Sequence, residues 1–141
     1  MKAVLSLILV LFFGVASAQS VTGLWKTIDD DSGVEKSIVE IYKKDGKIYG
    51  KVKEILNKDR AAVVCDRCDG KKKDQPVLGM VIIEDMERDG DEFSGGTILD
   101  PEKGKEYRCK LWVDEDNPNI LNVRGYIAFL YRTQYWKRVQ D

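Results

Sequence analysis

Short apolar–polar alternations, separated by turn dipeptides, constrain the fold of this chain more than any other feature. The clearest example surrounds Asp45-Gly46. An Asp-Gly pair is typical of a tight β-hairpin, because both residues tolerate the positive φ that the turn requires. We find no window with the period of an amphipathic helix, so the pattern predicts an all-β fold.

The alternation predicts eight strands, which we place between turn signals. Asp89-Gly90 marks a second tight turn of the same kind as Asp45-Gly46. The predicted strands are residues 22–29, 36–44, 47–56, 78–86, 92–99, 105–114, 119–129 and 131–139.

A two-residue turn at Asp45-Gly46 also predicts the register of its hairpin, since a shift by one residue would mix the two faces. One face is then apolar, and the other carries an ion pair and an aromatic pair. The apolar face pairs Val39 with Val52 and Ile41 with Gly50; the polar face pairs Glu40 with Lys51 and Tyr42 with Tyr49.

The same reasoning predicts inward faces for the next two hairpins. A two-residue turn at Asp89-Gly90 places the carboxylate of Glu84 inward, opposite Gly95. The residues expected to face inward are Met80, Ile82, Glu84, Met86, Phe93, Thr97 and Leu99 in the second hairpin, and Tyr107, Cys109, Leu111, Val113, Leu121, Val123, Gly125, Ile127 and Phe129 in the third.

Consecutive antiparallel hairpins with one apolar face each can remove their exposed edges by closing into a barrel. We therefore predict a single antiparallel up-and-down barrel of about eight strands, whose interior holds side chains or one small ligand. The outward face is too charged to lie in lipid. Its charged residues include Lys47, Lys51, Lys53, Glu87, Arg108 and Lys110.

The amino-terminal residues have the pattern of a secretory signal peptide. Lys2 precedes an apolar run at 3–15, and small residues follow it. The run is shorter than the roughly twenty apolar residues of a membrane-spanning helix. We expect cleavage after Ala18, which separates a signal peptide at 1–18 from one domain at 19–141, and export to the periplasm or the extracellular space.

The near balance of basic and acidic residues limits the classes of partner that the chain could attract. The chain has 23 Lys and Arg against 24 Asp and Glu, a net charge of −1, and the two signs are interleaved. This balance argues for neither nucleic acid nor a strongly anionic membrane surface as a partner. We expect no nucleic-acid partner, no membrane span and a monomer.

Several motifs resemble known families. Gly23-Leu24-Trp25 resembles the Gly-x-Trp start of lipocalin-type (calycin) barrels, in which the indole closes one end and an arginine of the last strand packs over it. That resemblance implies Arg138 as the partner of Trp25, so that Gly23, Trp25 and Arg138 close the barrel. The segments GLWKT, GGTILDPEKGKEYRCKLWV, LNVRGYIAF and RTQYWKRV resemble a bacterial exported family, domain-of-unknown-function family 2147. This resemblance implies a calycin-like barrel and export, and it brings no established catalytic residues.

The cysteines are Cys65, Cys68 and Cys109, and export would place them where thiols tend to pair. We predict a bridge from Cys65 or Cys68 to Cys109, because it would close a loop of about forty residues and stabilise the fold by roughly 4 kcal/mol. A Cys65–Cys68 bridge would stabilise less. A zinc site would need Asp66 or Asp69 as its fourth ligand, and a redox dithiol would need a helix start to lower one thiol pKa.

The sequence offers no catalytic set, because it has no histidine and no glycine loop that could hold a phosphate. We therefore expect no enzyme and no cofactor. We predict a binding module that holds a small apolar or amphipathic ligand in the barrel interior, oriented by Glu84 or Tyr107. The expected ligand-lining residues are Ile41, Val52, Ile82, Glu84, Met86, Phe93, Tyr107, Leu111, Val123 and Ile127.

Two alternatives to a ligand-binding module stay open on the sequence. The first is a ligand-free structural or interaction protein of the bacterial envelope, which would use its loops or the apolar outer residues Trp112 and Tyr126. The second is a thiol-redox or metal protein that uses Cys65 and Cys68. A barrel interior filled by its own side chains would favour the first alternative.

Overall fold

Eight antiparallel strands close into one barrel in chain order, with the first strand paired to the last. The computed structural model describes residues 20–140 together with Leu11. The predicted all-β up-and-down barrel is confirmed, whereas the predicted cleavage site after Ala18 and the rest of the signal peptide lie outside the described residues. The strands are β1 (Gly23–Ile28), β2 (Glu35–Lys44), β3 (Lys47–Ile55), β4 (Val81–Asp89), β5 (Glu92–Asp100), β6 (Lys105–Val113), β7 (Ile120–Ile127) and β8 (Leu130–Arg138).

The connections alternate between the two ends of the barrel, as they must in an up-and-down topology. We call one end the Trp25 end; it carries the turns 45–46, 90–91 and 114–119. We call the other the loop end; it carries the connections 29–34, 56–80, 101–104 and 128–129. Within residues 20–140 the helices are two three-residue 3-10 turns in the connection 56–80, and no helix there is long and apolar enough to cross a membrane.

The β2–β3 hairpin has the predicted register. Val39 pairs with Val52 and Ile41 pairs with Gly50 on the inward face, and all the predicted outward pairs are present. The Lys51 ammonium lies 3.6 Å from a Glu40 carboxylate oxygen. The Tyr42 and Tyr49 rings stack, with their centroids 5.9 Å apart.

The β4–β5 hairpin has a different register from the predicted one. Its turn residues are Gly90 and Asp91, because Asp89 pairs with Glu92, and Gly90 adopts the positive φ at the first turn position. Each β4 residue therefore lies opposite a β5 residue two positions later than expected. Glu84 pairs with Thr97 and not with Gly95.

Irregularities in β4 and β5 also change which side chains face inward. Asp85 has a φ of 57° and Gly95 a φ of 82°, and each interrupts the alternation of its strand. Ile83 pairs with Gly50 and with Ile98 on the inward side. By alternation, the predicted inward residues Ile82, Glu84, Thr97 and Leu99 face outward, so their predicted orientation was wrong.

In the β6–β7 hairpin, Cys109 lies opposite Gly125 and Leu111 lies opposite Val123, so these four predicted inward residues share one face. Phe129 was expected on the inward face of the same strand. It lies beyond the end of β7, in the turn before β8, and is 88% exposed.

The inward side chains near the Trp25 end pack into a continuous core that leaves them almost completely buried. Packing of this kind fills a small barrel with its own side chains, and for the deep interior this is the condition that favours the ligand-free alternative. The core residues from the strands include Trp25, Val39, Ile41, Ile48, Val52, Ile83, Met86, Leu111, Leu121, Val123 and Trp136.

Candidate functional site

The Trp25 end of the barrel is closed by a stacked indole and guanidinium. Arg138 pairs with Trp25 across β1 and β8, and its guanidinium carbon lies 4.2 Å from the centroid of the indole ring. The indole N–H donates to the Val21 carbonyl at 2.8 Å, which satisfies the only polar atom of a fully buried side chain. Gly23 lies beside this guanidinium with a φ of 128°, a conformation that favours glycine.

Arg138 also ties three chain segments together at this end. Its guanidinium donates to the carbonyl of Ser20 at 3.0 Å and to that of Pro118 at 3.2 Å, from the amino-terminal segment and the β6–β7 turn. Partial burial lowers the pKa of Arg138, although an arginine stays charged at physiological pH. A small molecule that enters the barrel must therefore do so from the loop end.

At the loop end, the connection 56–80 lies over the outer side of β4 and β5. Ile82 and Leu99 face outward there, yet they are buried in the same cluster as Cys65 and Cys68 of the connection. Gly104 of the β5–β6 turn packs so closely on the connection that a Cβ atom would overlap the carbonyl oxygen of Arg67. The connection thus packs closely against the outer face of the barrel wall.

The cysteine pairing differs from the prediction. Cys65 and Cys68 form a disulfide, and Cys109 is free and buried. The predicted bridge to Cys109 fails because Cys109 faces inward, opposite Gly125, whereas the connection lies outside the wall. Burial raises the pKa of the Cys109 thiol to about 12.

The disulfide also argues against the metal and redox alternatives. A bonded Cys65–Cys68 pair offers no thiolates to a metal, and the part of the chain that the structure describes holds no group of three or more potential metal ligands. Both bonded cysteines are almost completely buried. Thiol–disulfide exchange needs access to a sulfur atom, so this burial does not favour a redox role.

A cleft of about 410 Å³ opens at the loop end, between the connection 56–80 and the β5–β6 hairpin. Its apolar side chains include Leu99, Tyr107 and Ile127. Its charged side chains come from the connection 56–80 and from the start of β6. The full lining is Cys68, Asp69, Lys72, Leu99, Gly104, Lys105, Glu106, Tyr107 and Ile127.

Glu84 does not face the barrel interior. It lies on the outer side of β4, where one carboxylate oxygen is 3.4 Å from the Lys72 ammonium, and both side chains are about one-third exposed. The predicted role of Glu84 as an inward group that orients a ligand was therefore wrong. Its place in the structure is to hold the connection against β4.

Polar groups that the sequence reasoning missed line the interior near the loop end. Arg132 and Gln134 of β8 face inward, because they pair with the inward Gly125 and Val123. The Arg132 guanidinium lies 2.6 Å from an Asp30 carboxylate oxygen, and the Gln134 amide donates to the same oxygen at 3.4 Å. Alternation counted back from Arg138 would have revealed both residues.

Apart from Glu84 and Ile82, which both face outward, the predicted ligand-lining residues divide into three groups. The deep set is packed in the core and 0–3% exposed; it comprises Ile41, Val52, Met86, Leu111 and Val123. Phe93 is half-buried near the Trp25 end, away from the cleft. Tyr107 and Ile127 line the cleft. The role of each in ligand binding stays a prediction.

Comparisons with known proteins agree with this architecture. A bacterial family described as "Uncharacterized protein conserved in bacteria (DUF2147)" matches residues 23–138. A solved structure from the human pathogen Helicobacter pylori, described as belonging to the lipocalin family, superposes with a TM-score of 0.74 at 19% identity and covers 86% of this chain and 84% of that chain. At this identity the likeness shows the fold alone. No curated protein matches the chain.

Proposed function

We propose, for a chain that belongs to the bacterial DUF2147 family, that its lipocalin-like barrel is a non-catalytic binding module. The molecule it holds is small and apolar or amphipathic, and it occupies the cleft at the loop end. The proposal also includes export of the protein to an oxidising compartment. The signal-like pattern at 1–18 and the Cys65–Cys68 disulfide support it, since disulfides persist in oxidising compartments.

The observation that carries this proposal is the difference between the two ends of the barrel. Arg138 and Trp25 close one end, and a cleft of about 410 Å³ opens at the other. Small-molecule sites in proteins are concave, largely apolar and furnished with a few polar groups, and they commonly measure roughly 300–1,000 Å³. The cleft meets the criteria of shape and volume, and its lining mixes apolar with charged side chains, which suits an amphipathic molecule.

The lining suggests how an amphipathic molecule would lie. Its apolar part would contact Leu99 and Ile127, and the hydroxyl of Tyr107 would orient it. Its polar part would reach Lys72 or Glu106 at the rim of the cleft. The carboxylates that line the cleft are those of Asp69 and Glu106, and that of Glu84 is not among them. A molecule bound in this way would not displace the packed side chains of the core.

Titration with a fluorescent anilinonaphthalene sulfonate probe tests the proposal. We expect saturable binding at one site, and Ile127→Glu should weaken it on the order of tenfold, because it places a charge against the apolar part of the probe. Leu24→Ser is the matched control, since Leu24 is a partly exposed apolar residue near the Trp25 end. Absence of saturable binding, or an equal loss in Leu24→Ser, would contradict the proposal.

A further inference from the structure

The β7–β8 hairpin ends in an exposed apolar tip, which we define as residues 127–131 (IAFLY). Phe129 is 88% exposed and Leu130 is 64% exposed, and Ile127 and Tyr131 are exposed as well. Single exposed apolar residues are common on protein surfaces, but a contiguous apolar projection usually marks an interaction site. The barrel does not need these side chains for its core.

The tip is held in a fixed and costly conformation. Ala128 adopts a φ of 52°, which is unfavourable for a residue with a Cβ atom. The Arg108 guanidinium of the neighbouring strand donates to the Ala128 carbonyl at 2.9 Å. This positive φ is the one that the first position of a two-residue hairpin turn requires, so the turn and Arg108 together set the position of the tip.

The basic side chains nearest the tip are Arg108 and Arg124, and neither forms an ion pair within residues 20–140. The Arg124 guanidinium lies 4.3 Å from the centroid of the Tyr131 ring. Arg132 is paired with Asp30, and Lys137 and Arg138 lie at the Trp25 end. Arg108 and Arg124 are therefore the positive charges that the tip presents to a partner.

We infer that this tip docks onto the surface of a lipid bilayer that contains anionic lipids. Apolar side chains at a convex projection can enter the interface between head groups and acyl chains, while arginines at its base contact anionic head groups. Tyrosine and arginine beside the apolar residues fit this interface, where amphipathic side chains are enriched. A partner protein would need a groove that matches a projecting Phe129, whereas a bilayer needs none.

Docking in this way would also orient the cleft. Ile127 belongs to the tip and lines the cleft, so the cleft would open toward the bilayer surface. The inference does not depend on the proposed function, because the tip can dock whether or not the cleft holds a ligand. Variants of Phe129 and Leu130, which do not line the cleft, separate the two ideas.

Flotation of the purified protein with lipid vesicles tests the inference. We expect it to float with an equal mixture of phosphatidylglycerol and phosphatidylcholine, and much less with phosphatidylcholine alone or at high salt. The double substitution Phe129→Ser, Leu130→Ser should reduce binding on the order of tenfold or more. Val34→Ser is the matched control, since Val34 is 58% exposed in another connection at the loop end, and it should bind as the wild type does.

A second measurement reports the insertion directly. In Phe129→Trp, the added indole emission should shift to shorter wavelength with the mixed vesicles, and in Val34→Trp it should not. The inference fails if the wild type binds neither vesicle, if it binds both equally, or if Val34→Ser loses as much binding as the double variant. It also fails if the Phe129 and Leu130 substitutions abolish only self-association in sedimentation experiments, since the tip would then contact a second copy.

Discussion

At the scale of single residues, the closed end of the barrel depends on Arg138. Its guanidinium covers the Trp25 ring and donates to backbone carbonyls of two other segments. Loss of this side chain would leave those carbonyls without a donor and uncover the indole. The role of Arg138 is therefore coupled to that of Trp25.

Trp25→Ala should lower the free energy of unfolding by about 3–5 kcal/mol, as expected for a large buried aromatic side chain. Arg138→Ala should cost less, and in a double-mutant cycle the two changes should couple by about 1 kcal/mol, since the side chains are in contact. Urea denaturation measures each value. The matched control is Arg124→Ala, because Arg124 lies over Trp112 on the outer wall and should combine additively with Trp25→Ala. Additivity of the Trp25 and Arg138 changes would contradict the account.

Cys109 should resist alkylation in the native protein at pH 8. Its thiol is buried, and its pKa of about 12 leaves almost no thiolate to react. Iodoacetamide followed by mass spectrometry should find no label on the folded protein and one label after unfolding without reductant. Peptide mapping should recover Cys65 linked to Cys68. Rapid labelling of the folded protein would show that the interior is open.

At the scale of elements, the connection 56–80 gives this barrel a second buried layer. It covers Ile82 and Leu99 on the outer face of β4 and β5, and the Cys65–Cys68 disulfide lies within that layer. The β5–β6 turn contacts it at Gly104. This packing forms one side of the cleft, so the connection positions the proposed site.

Gly104→Ala should lower the free energy of unfolding at least about 1 kcal/mol more than Gly90→Ala. Both glycines have positive φ, near 65° and 61°, so the conformational penalty is similar. A Cβ atom at residue 104 would overlap the backbone of Arg67, whereas one at residue 90 would meet nothing within 4 Å. Chemical denaturation of the two variants measures the difference. Equal losses would indicate that the connection is not packed against this turn.

The β6–β7 turn should contribute stability that depends on pH. The Asp114 carboxylate accepts hydrogen bonds from the backbone N–H groups of Asp116 and Asn117, and these bonds lower its pKa. The stabilisation is thus present above the unfolded-state pKa of 3.8 and is lost as the pH falls through the lower folded-state pKa. The difference in stability between wild type and Asp114→Asn should shrink over that acidic range. A difference that grows toward low pH would have the wrong sign.

Sequence patterns predicted the hairpins whose alternation is uninterrupted. The β2–β3 register followed from Asp45-Gly46 because neither the turn nor the adjoining pairs contain an extra residue. The β4–β5 register did not follow, since the turn begins at Gly90, and the irregularities at Asp85 and Gly95 leave no signature in the alternation. Glu84 was consequently assigned to the wrong face.

The cysteine pairing was not predictable for a different reason. Loop entropy favours the longer bridge, but it does not take into account the β-sheet that separates Cys109 from Cys65 and Cys68. Cys109 faces the interior, and Cys65 packs outside it. The apolar character of Ile82 and Leu99 led to the wrong prediction that both face inward. A long connection can bury an outward face as completely as the barrel interior buries an inward one.

At the scale of the whole molecule, packed side chains close the Trp25 end, and a cleft lies at the loop end between the connection 56–80 and the β5–β6 hairpin. Apolar and charged side chains surround about 410 Å³ there. The apolar tip projects from the same end. The proposed binding site and the proposed docking surface therefore share the loop end.

Native mass spectrometry of the protein purified from its own host measures directly whether the barrel carries a ligand. We expect a polypeptide that starts at Gln19 and carries one small organic molecule, which is released on denaturation and is absent from Ile127→Glu purified in the same way. If the wild-type polypeptide is found consistently without any bound molecule, the proposed binding function is wrong. It is also wrong if Ile127→Glu retains the molecule equally.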